Sequence, residues 1–414
     1  MTSEVRQPVR VLCSWLSGFF LKFLAIAYVL PVHALVYDDG HGAQEVVVGA
    51  ARMELYYPLI EGKRVAFAGN HTAIVDGRHV VDILVDNGVD VVKIFSPEHG
   101  FRGTAAHGEW VDSGIDPETG LPVISLYGAN RRPTGAQLAE VDVVVFDIQD
   151  VGARFYTYIS TMAYFMEEAA RHEKKMIILD RPNPLGHYVD GPILDLRHRS
   201  FVGLHPIPIV HGMTIGEYAR MVNGEGWLAD GLVCDLTVIP MAHYDHHTRY
   251  HLPLPPSPNL PNMRAVYLYP SLCLFEGTDI SLGRGTPNPF QVFGHPAFDA
   301  NLFPYHFKPE SVAAAPNPPQ LGRVCHGRNL STIPLKELER KSQINLGYIL
   351  EAYHHFPDKA RFFNNFFERL AGTHQLREQI VAGWTEEQIR ESWMPGIEAF
   401  KVIRSRYLLY EEVE

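Results

Sequence analysis

The sequence predicts an α/β protein, with a parallel-sheet lobe in its first half and a second, smaller α+β lobe after it. Three observations carry this expectation. Apolar runs of strand length recur in the first half, at Val91-Val-Lys-Ile-Phe95, Val141-Asp-Val-Val-Val-Phe-Asp147 and Met176-Ile-Ile-Leu-Asp180, as strands buried on both faces do. Between the last two lies a helical repeat over Tyr158 to His172 with Met162, Phe165, Met166 and Ala169 on one face, and strand, helix, strand is a parallel crossover. Past Ser200 the texture changes, because Pro206, Pro208, Pro240, Pro253, Pro255, Pro256, Pro258 and Pro261 fall among short apolar runs and read as a less regular lobe. At 414 residues and 46% hydrophobic content the chain can bury one large core or two modest ones. The expected division is 1–34, 45–200 and 201–414.

The first thirty-four residues read as a secretory signal peptide. Arg6, Arg10 and Lys22 carry positive charge, Phe23 to Val32 is apolar, and Val32-His-Ala34 resembles a small-residue cleavage site. The competing reading is an uncleaved anchor from Val11 to Val32, since about 20 apolar residues can cross a bilayer; Lys22 and Pro31 argue against it. Cleavage would remove three cations and only Glu4 among the acids, so the exported chain is more acidic than the full chain's −11. Such a chain is a poor nucleic-acid binder, and a periplasmic or extracellular location follows. Export would leave Cys234, Cys273 and Cys325, an odd number without C-x-x-C spacing, which points to buried free thiols.

From Glu45 a helical pattern runs through Val46, Val47, Met53 and Leu55, followed by a strand over Lys63-Arg-Val-Ala-Phe-Ala-Gly69. A helix near His79 to Asn87 leads into the strand before Glu98. After it comes a loop through Gly103, Gly108, Gly114 and Gly120, too long to be a plain connection and therefore expected to be functional. Three strands thus end in polar groups: Glu98; Asp147, Gln149 and Asp150; Asp180, Arg181 and Asn183. Ligands of open parallel sheets bind beyond the carboxyl ends of the strands, so these groups are expected to converge. The tail shows two helical patterns, Glu386 to Trp393 and Gly396 to Tyr407, and ends in Tyr407-Leu-Leu-Tyr410.

Several chemistries lack their motifs. The sequence has no G-x-S-x-G, no H-E-x-x-H, no G-x-G-x-x-G and no G-x-x-x-x-G-K-[ST], which weighs against a serine hydrolase, a zinc peptidase and a nucleotide-binding sheet. His243-Tyr-Asp-His-His-Thr-Arg-Tyr-His251 has metal-ligand residue types, but Pro240 and Pro253 bracket it, and local hydrogen bonds are the better expectation. Carboxylates are the stronger theme. Glu98, Asp147, Asp150, Asp180 and Glu276 sit beside strand-like runs. Cleaving an acetal needs one protonated carboxyl group for the leaving oxygen and an ionised one facing the sugar carbon. Glu98, flanked by Pro97 and His99, suits the first role; Glu276 ranks first for the second, ahead of Asp147 and Asp150. The competing reading for any one of these acids is a helix cap or a salt bridge. Arg102, Arg154, Arg181 and Arg284 lie near them, and arginine grips carboxylates with two parallel hydrogen bonds. Tyr156 and Tyr158 offer hydroxyls or a flat surface for a sugar ring, unless they serve core packing.

The segments FSPEHGFRG (95–103), GLPVISLYG (120–128), FDIQDVGARFYTYISTM (146–162), LDRPNP (179–184), PIPIVHGMT (206–214), PSPNLPN (256–262) and YPSLCLFEGTDISLGRGT (269–286) resemble the NamZ-type exo-β-N-acetylmuramidases. The resemblance spans about residues 45 to 410 and includes the SRYLLY tail. It implies a Rossmann-like lobe, a smaller second lobe and an active site in the cleft between them. It also implies cofactor-free release of terminal N-acetylmuramic acid from the non-reducing end of peptidoglycan fragments such as MurNAc-GlcNAc or muropeptides. Glu98 maps onto the glutamate of S-P-E-H-G. His99, Arg102, Arg154, Tyr156, Tyr158, Asp180, Asn183, His211, Asn259 and Arg284 are the expected substrate-binding residues, with Arg102 or Arg154 gripping the sugar's lactyl carboxylate. Ala313-Ala-Ala-Pro-Asn-Pro-Pro319 and Pro287-Asn-Pro289 look local to this chain and are expected at the pocket rim. The alternative from another class is a non-catalytic protein that binds muropeptides or another acidic sugar.

Overall fold

A seven-stranded, mostly parallel sheet organises the chain in the computed structural model, which describes residues 44–97, 100–102, 114–126, 128 and 130–412. From edge to edge it runs Gly114–Ile115, Pro122–Ser125, Asp90–Ser96, Arg64–Gly69, Val143–Asp147, Lys175–Leu179 and Asp235–Ile239. Only the Gly114–Ile115 pairing is antiparallel. The chain builds outward from Arg64–Gly69 on one side and then returns to build Val143–Asp147 on the other. The order of construction therefore reverses between these two strands, and side chains at their carboxyl ends border a natural crevice.

Strand residues alternate between two cores because successive side chains point to opposite faces. Val65, Phe67, Val143, Val145, Ile177 and Leu179 join the core that includes Tyr56, Ile60, Val80 and Leu84 from the helices Met53–Ile60 and Val80–Asp86. Ala66, Ala68, Val144, Phe146, Met176 and Ile178 face the other way, into a larger core. That core holds Met162 and Phe165 of the helix Tyr158–Arg171, Met221 and Val222 of Ile215–Gly224, and residues as distant as Trp393 and Phe400. All described residues accordingly belong to one compact unit. The parallel sheet also takes its last strand, Asp235–Ile239, from beyond residue 200.

The remaining residues form the expected α+β part, with a three-stranded antiparallel sheet of Val292–His295, Cys325–Asn329 and Tyr305–Phe307 among helices. The two helical patterns of the tail are one helix, Glu386–Arg404, continuing through Pro395. A proline inside a helix costs roughly 3 kcal/mol. Here Ile389, Trp393, Ile397, Phe400 and Arg404 make an unbroken buried stripe across it, and that packing offsets the lost hydrogen bond. The helix expected from Glu45 begins later, as a short 3-10 turn at Gly49–Ala51 and then Met53–Ile60. The tail clasps the sheet: the Tyr410 hydroxyl donates to Asp180 at 2.6 Å, and the Leu409 amide donates to Glu217 at 2.8 Å.

Among the described residues no helix is long and apolar enough to cross a membrane. The 1–34 segment lies outside them. Cys234, Cys273 and Cys325 are buried free thiols. The histidine segment is held by hydrogen bonds, His246 to Glu217 and to the Gly186 carbonyl, and His251 to Glu339. The described residues contain no cluster of three or more potential metal ligands.

Candidate active site

The turn after Val143–Asp147 shapes the site. Gly152 has a positive φ of 79°, and a Cβ there would meet the Asn183 side chain at 2.2 Å, so only glycine fits. The chain then presents Phe155, Tyr156, Thr157 and Tyr158, at the start of the helix Tyr158–Arg171, to a cavity of about 490 Å³. Ligand pockets commonly fall between roughly 300 and 1,000 Å³. Other walls come from Ser200 to Val202, from Ser257, Asn259 and Leu260, from Tyr269 and Glu276, from Arg284 and Phe290, and from Phe366 and Arg369.

Aromatic rings form one wall. Tyr156 packs edge-on against Tyr158 and Tyr269, with centroids 4.9 and 5.9 Å apart, and Tyr269 packs on Phe290 at 5.0 Å. The Tyr156 hydroxyl donates to the Pro256 carbonyl at 2.7 Å, and Tyr158 accepts from Asn70 at 3.0 Å. Asn259 donates to the Ala314 carbonyl at 3.0 Å, and Ala314 itself lines the cavity, so the proline-rich 313–319 segment does contribute to the rim. Opposite charges meet at Glu276, whose Oε1 accepts from Arg284 Nε at 2.8 Å and Nη2 at 2.5 Å. Oε2 makes no hydrogen bond with a described residue. The Glu276 carboxylate raises the Arg284 pKa although burial works against it. One carboxylate oxygen is thus anchored and the other has no partner among the described residues.

The structure brings Tyr156, Tyr158, Asn259, Glu276 and Arg284 together around this cavity. Glu98 and His99 lie outside the described residues. Six other candidates serve the scaffold and do not line this cavity. Asp147 is fully buried and receives Nε and Nη2 of the buried Arg181, the latter at 2.8 Å. Arg102 bridges Asp82 and Asp116 at 2.6 to 2.9 Å. Arg154, fully buried, donates to the carbonyls of Pro192, Ile207, Leu370 and Ala371; buried carbonyls need donors, and it supplies four. Asn183 bonds the Met213 carbonyl and the Leu185 amide. Asp180 accepts from Thr214, Gly216 and Tyr410; burial pushes its pKa up to about 7 against the lowering effect of Tyr410. His211 accepts from the Met213 amide, and burial, helped by the Arg404 charge, pulls its pKa down to about 3.

Asp150 is buried and has no cationic partner in contact among the described residues. Its Oδ2 accepts from the Gly152 amide at 2.7 Å, Oδ1 is buried without a hydrogen bond, and His211 Nε2 stands 3.8 Å away. Burial pushes its pKa from 3.8 up to about 7. Between these values the folded chain keeps a proton that the unfolded chain releases, so this contribution is full below about pH 4 and lost as pH rises through about 7. Asp150→Asn cannot titrate. The stability of the natural chain relative to this variant is expected to fall with rising pH across that window, by up to about 1.4 kcal/mol per pH unit. Urea unfolding of both proteins at several pH values measures it; a constant difference would contradict a retained proton.

Sequence reasoning missed Arg131, Phe201, Tyr269 and Arg369. Arg131 sits in a segment without a neighbouring acid, and Arg369, although it follows Glu368, lies in a helix far from any strand end. Tyr269, within the matched YPSLCLFEGTDISLGRGT segment, was the one with a signal.

The profile described as "Exo-beta-N-acetylmuramidase NamZ, N-terminal" matches residues 65–264, and that described as "Exo-beta-N-acetylmuramidase NamZ, C-terminal" matches residues 267–410. The chain is 39% identical over 372 residues to the peptidoglycan β-N-acetylmuramidase NamZ of Bacillus subtilis, covering 86% of this chain and 89% of that protein. A solved DUF1343 family protein from Bacteroides fragilis superposes with a TM-score of 0.83 at 50% identity, over 89% of this chain and all of the other. A second from the same organism gives 0.75 at 29% identity, over 88% and 99%. The chain therefore belongs to the exo-β-N-acetylmuramidase NamZ family, whose two profiles cover it from the first sheet strand to the C-terminal clasp.

Proposed function

We propose that this protein is an exo-acting glycoside hydrolase that releases terminal N-acetylmuramic acid from the non-reducing end of peptidoglycan fragments. Its membership of the NamZ family carries the reading. The cavity supports it with an aromatic wall suited to a sugar ring and Glu276 held by one oxygen. Glu98 is assigned the proton donor to the leaving oxygen and Glu276 the opposing carboxylate. MurNAc-GlcNAc and muropeptides are the proposed substrates. The cationic and apolar pattern of residues 1–34 supports export to the periplasm or the cell exterior, where such fragments arise.

Hydrolysis of a chromogenic β-N-acetylmuramide beside the matching β-N-acetylglucosaminide tests the reading. Release from the muramide with little from the glucosaminide is the expected result. Release from neither by folded protein would overturn it in favour of a saccharide-binding role.

A further inference from the structure

The described charged residues lining the cavity are Arg131, Arg284, Arg369 and Glu276. Arg284 and Glu276 neutralise each other, which leaves two guanidinium groups in excess within a chain whose net charge is −11. Arg369, on the helix Phe367–Ala371, makes no side-chain hydrogen bond or ion pair with any described residue. Arg131 is held in place from one side. Its Nε donates to the Gly128 carbonyl at 3.1 Å, and its guanidinium lies 4.5 Å from the centre of the Phe201 ring. That ring stacks on Tyr164 at 5.8 Å, and Arg132 covers Tyr164 from 4.1 Å while pairing with Glu167 at 2.5 Å. This stack orients Arg131 and leaves its terminal nitrogens without a described partner. Two positive groups without a counter-ion among the described residues, in a concave wall, are suited to an anion, and guanidinium matches a carboxylate with parallel hydrogen bonds.

We propose that Arg369, assisted by Arg131, receives the carboxylate of the sugar's lactyl ether and thereby selects muramic acid over glucosamine. The assignment rests on the muramidase reading for the identity of the sugar. It replaces Arg102 and Arg154, whose terminal guanidinium nitrogens are taken by Asp82, Asp116 and backbone carbonyls. Both arginines are exposed at the cavity wall, so their replacement leaves the core intact.

Calorimetric titration of the full chain with N-acetylmuramic acid and with its methyl ester tests the proposal without requiring turnover. The natural protein is expected to prefer the acid by about 10- to 100-fold, as charge-assisted hydrogen bonds imply. Arg369→Ala should erase most of that preference, Arg131→Ala a smaller part, and Arg369→Lys should retain some of it. In turnover, Arg369→Ala should raise KM for the muramide far more than it lowers kcat. An equal affinity for acid and ester in the natural protein, or a preference that survives in both alanine variants, overturns the proposal. Acid binding through Arg369 without any muramide hydrolysis would instead overturn the hydrolase reading and leave this one standing.

Discussion

Glu98→Gln is expected to lower turnover of a muramyl disaccharide by about 10²- to 10⁴-fold with little change in KM, the range typical of a positioned general acid. Glu98 lies outside the described residues, and the assignment rests on the S-P-E-H-G match and on its place two residues beyond the strand Asp90–Ser96. The leaving group separates its role from that of Glu276. A sugar hydroxyl is a poor leaving group and needs the proton, whereas a nitrophenolate departs without much help. The Glu98→Gln defect should therefore shrink markedly on a nitrophenyl muramide. Glu276→Gln should impair both substrates, because the carboxylate facing the sugar carbon is needed whatever departs. Steady-state kinetics of both variants on both substrates makes the comparison. Equal defects for Glu98→Gln on the two substrates would remove it from the proton-donor role.

Arg181→Met is expected to destabilise the protein by about 3–5 kcal/mol, because it leaves a buried carboxylate without its counter-ion. Asp147 is fully buried at the end of a central strand, and Arg181 holds both of its oxygens from just beyond the next strand, Lys175–Leu179, while reaching the Ile74 carbonyl at 3.4 Å. Replacing both partners, Asp147→Leu with Arg181→Met, should recover much of the loss, since an apolar pair of similar volume needs no charge compensation. Urea unfolding of the two single variants and the double variant gives the coupling directly. A loss below about 1 kcal/mol for Arg181→Met would mean that Asp147 has another means of neutralisation.

The architecture was largely legible from local patterns. The runs ending at Phe95, Asp147 and Asp180 became parallel strands because a strand buried on both faces must be continuously apolar, and Val143 to Phe146 do alternate between two cores. The family, too, was legible, because its motifs are long and ordered along the chain. The helix through Pro395 was not, since a proline signals a break unless a distant core covers the same face on both sides of it. The site divides in the same way. Glu276, Arg284, Tyr156, Tyr158 and Asn259 could be picked out by residue type and motif.

What the sequence by itself determined is the parallel-sheet scaffold, the family and a pool of acids and arginines. Only tertiary structure decided how that pool divides. Polar residues at strand ends look alike in a sequence, yet Asp147, Asp180, Arg102 and Arg154 find partners from other segments of the chain and become structural. Arg369 finds none among the described residues and lines the cavity. Whether a charge is satisfied within the fold or left for a ligand depends on which groups packing brings within hydrogen-bond reach, and the linear order of residues does not contain that distance.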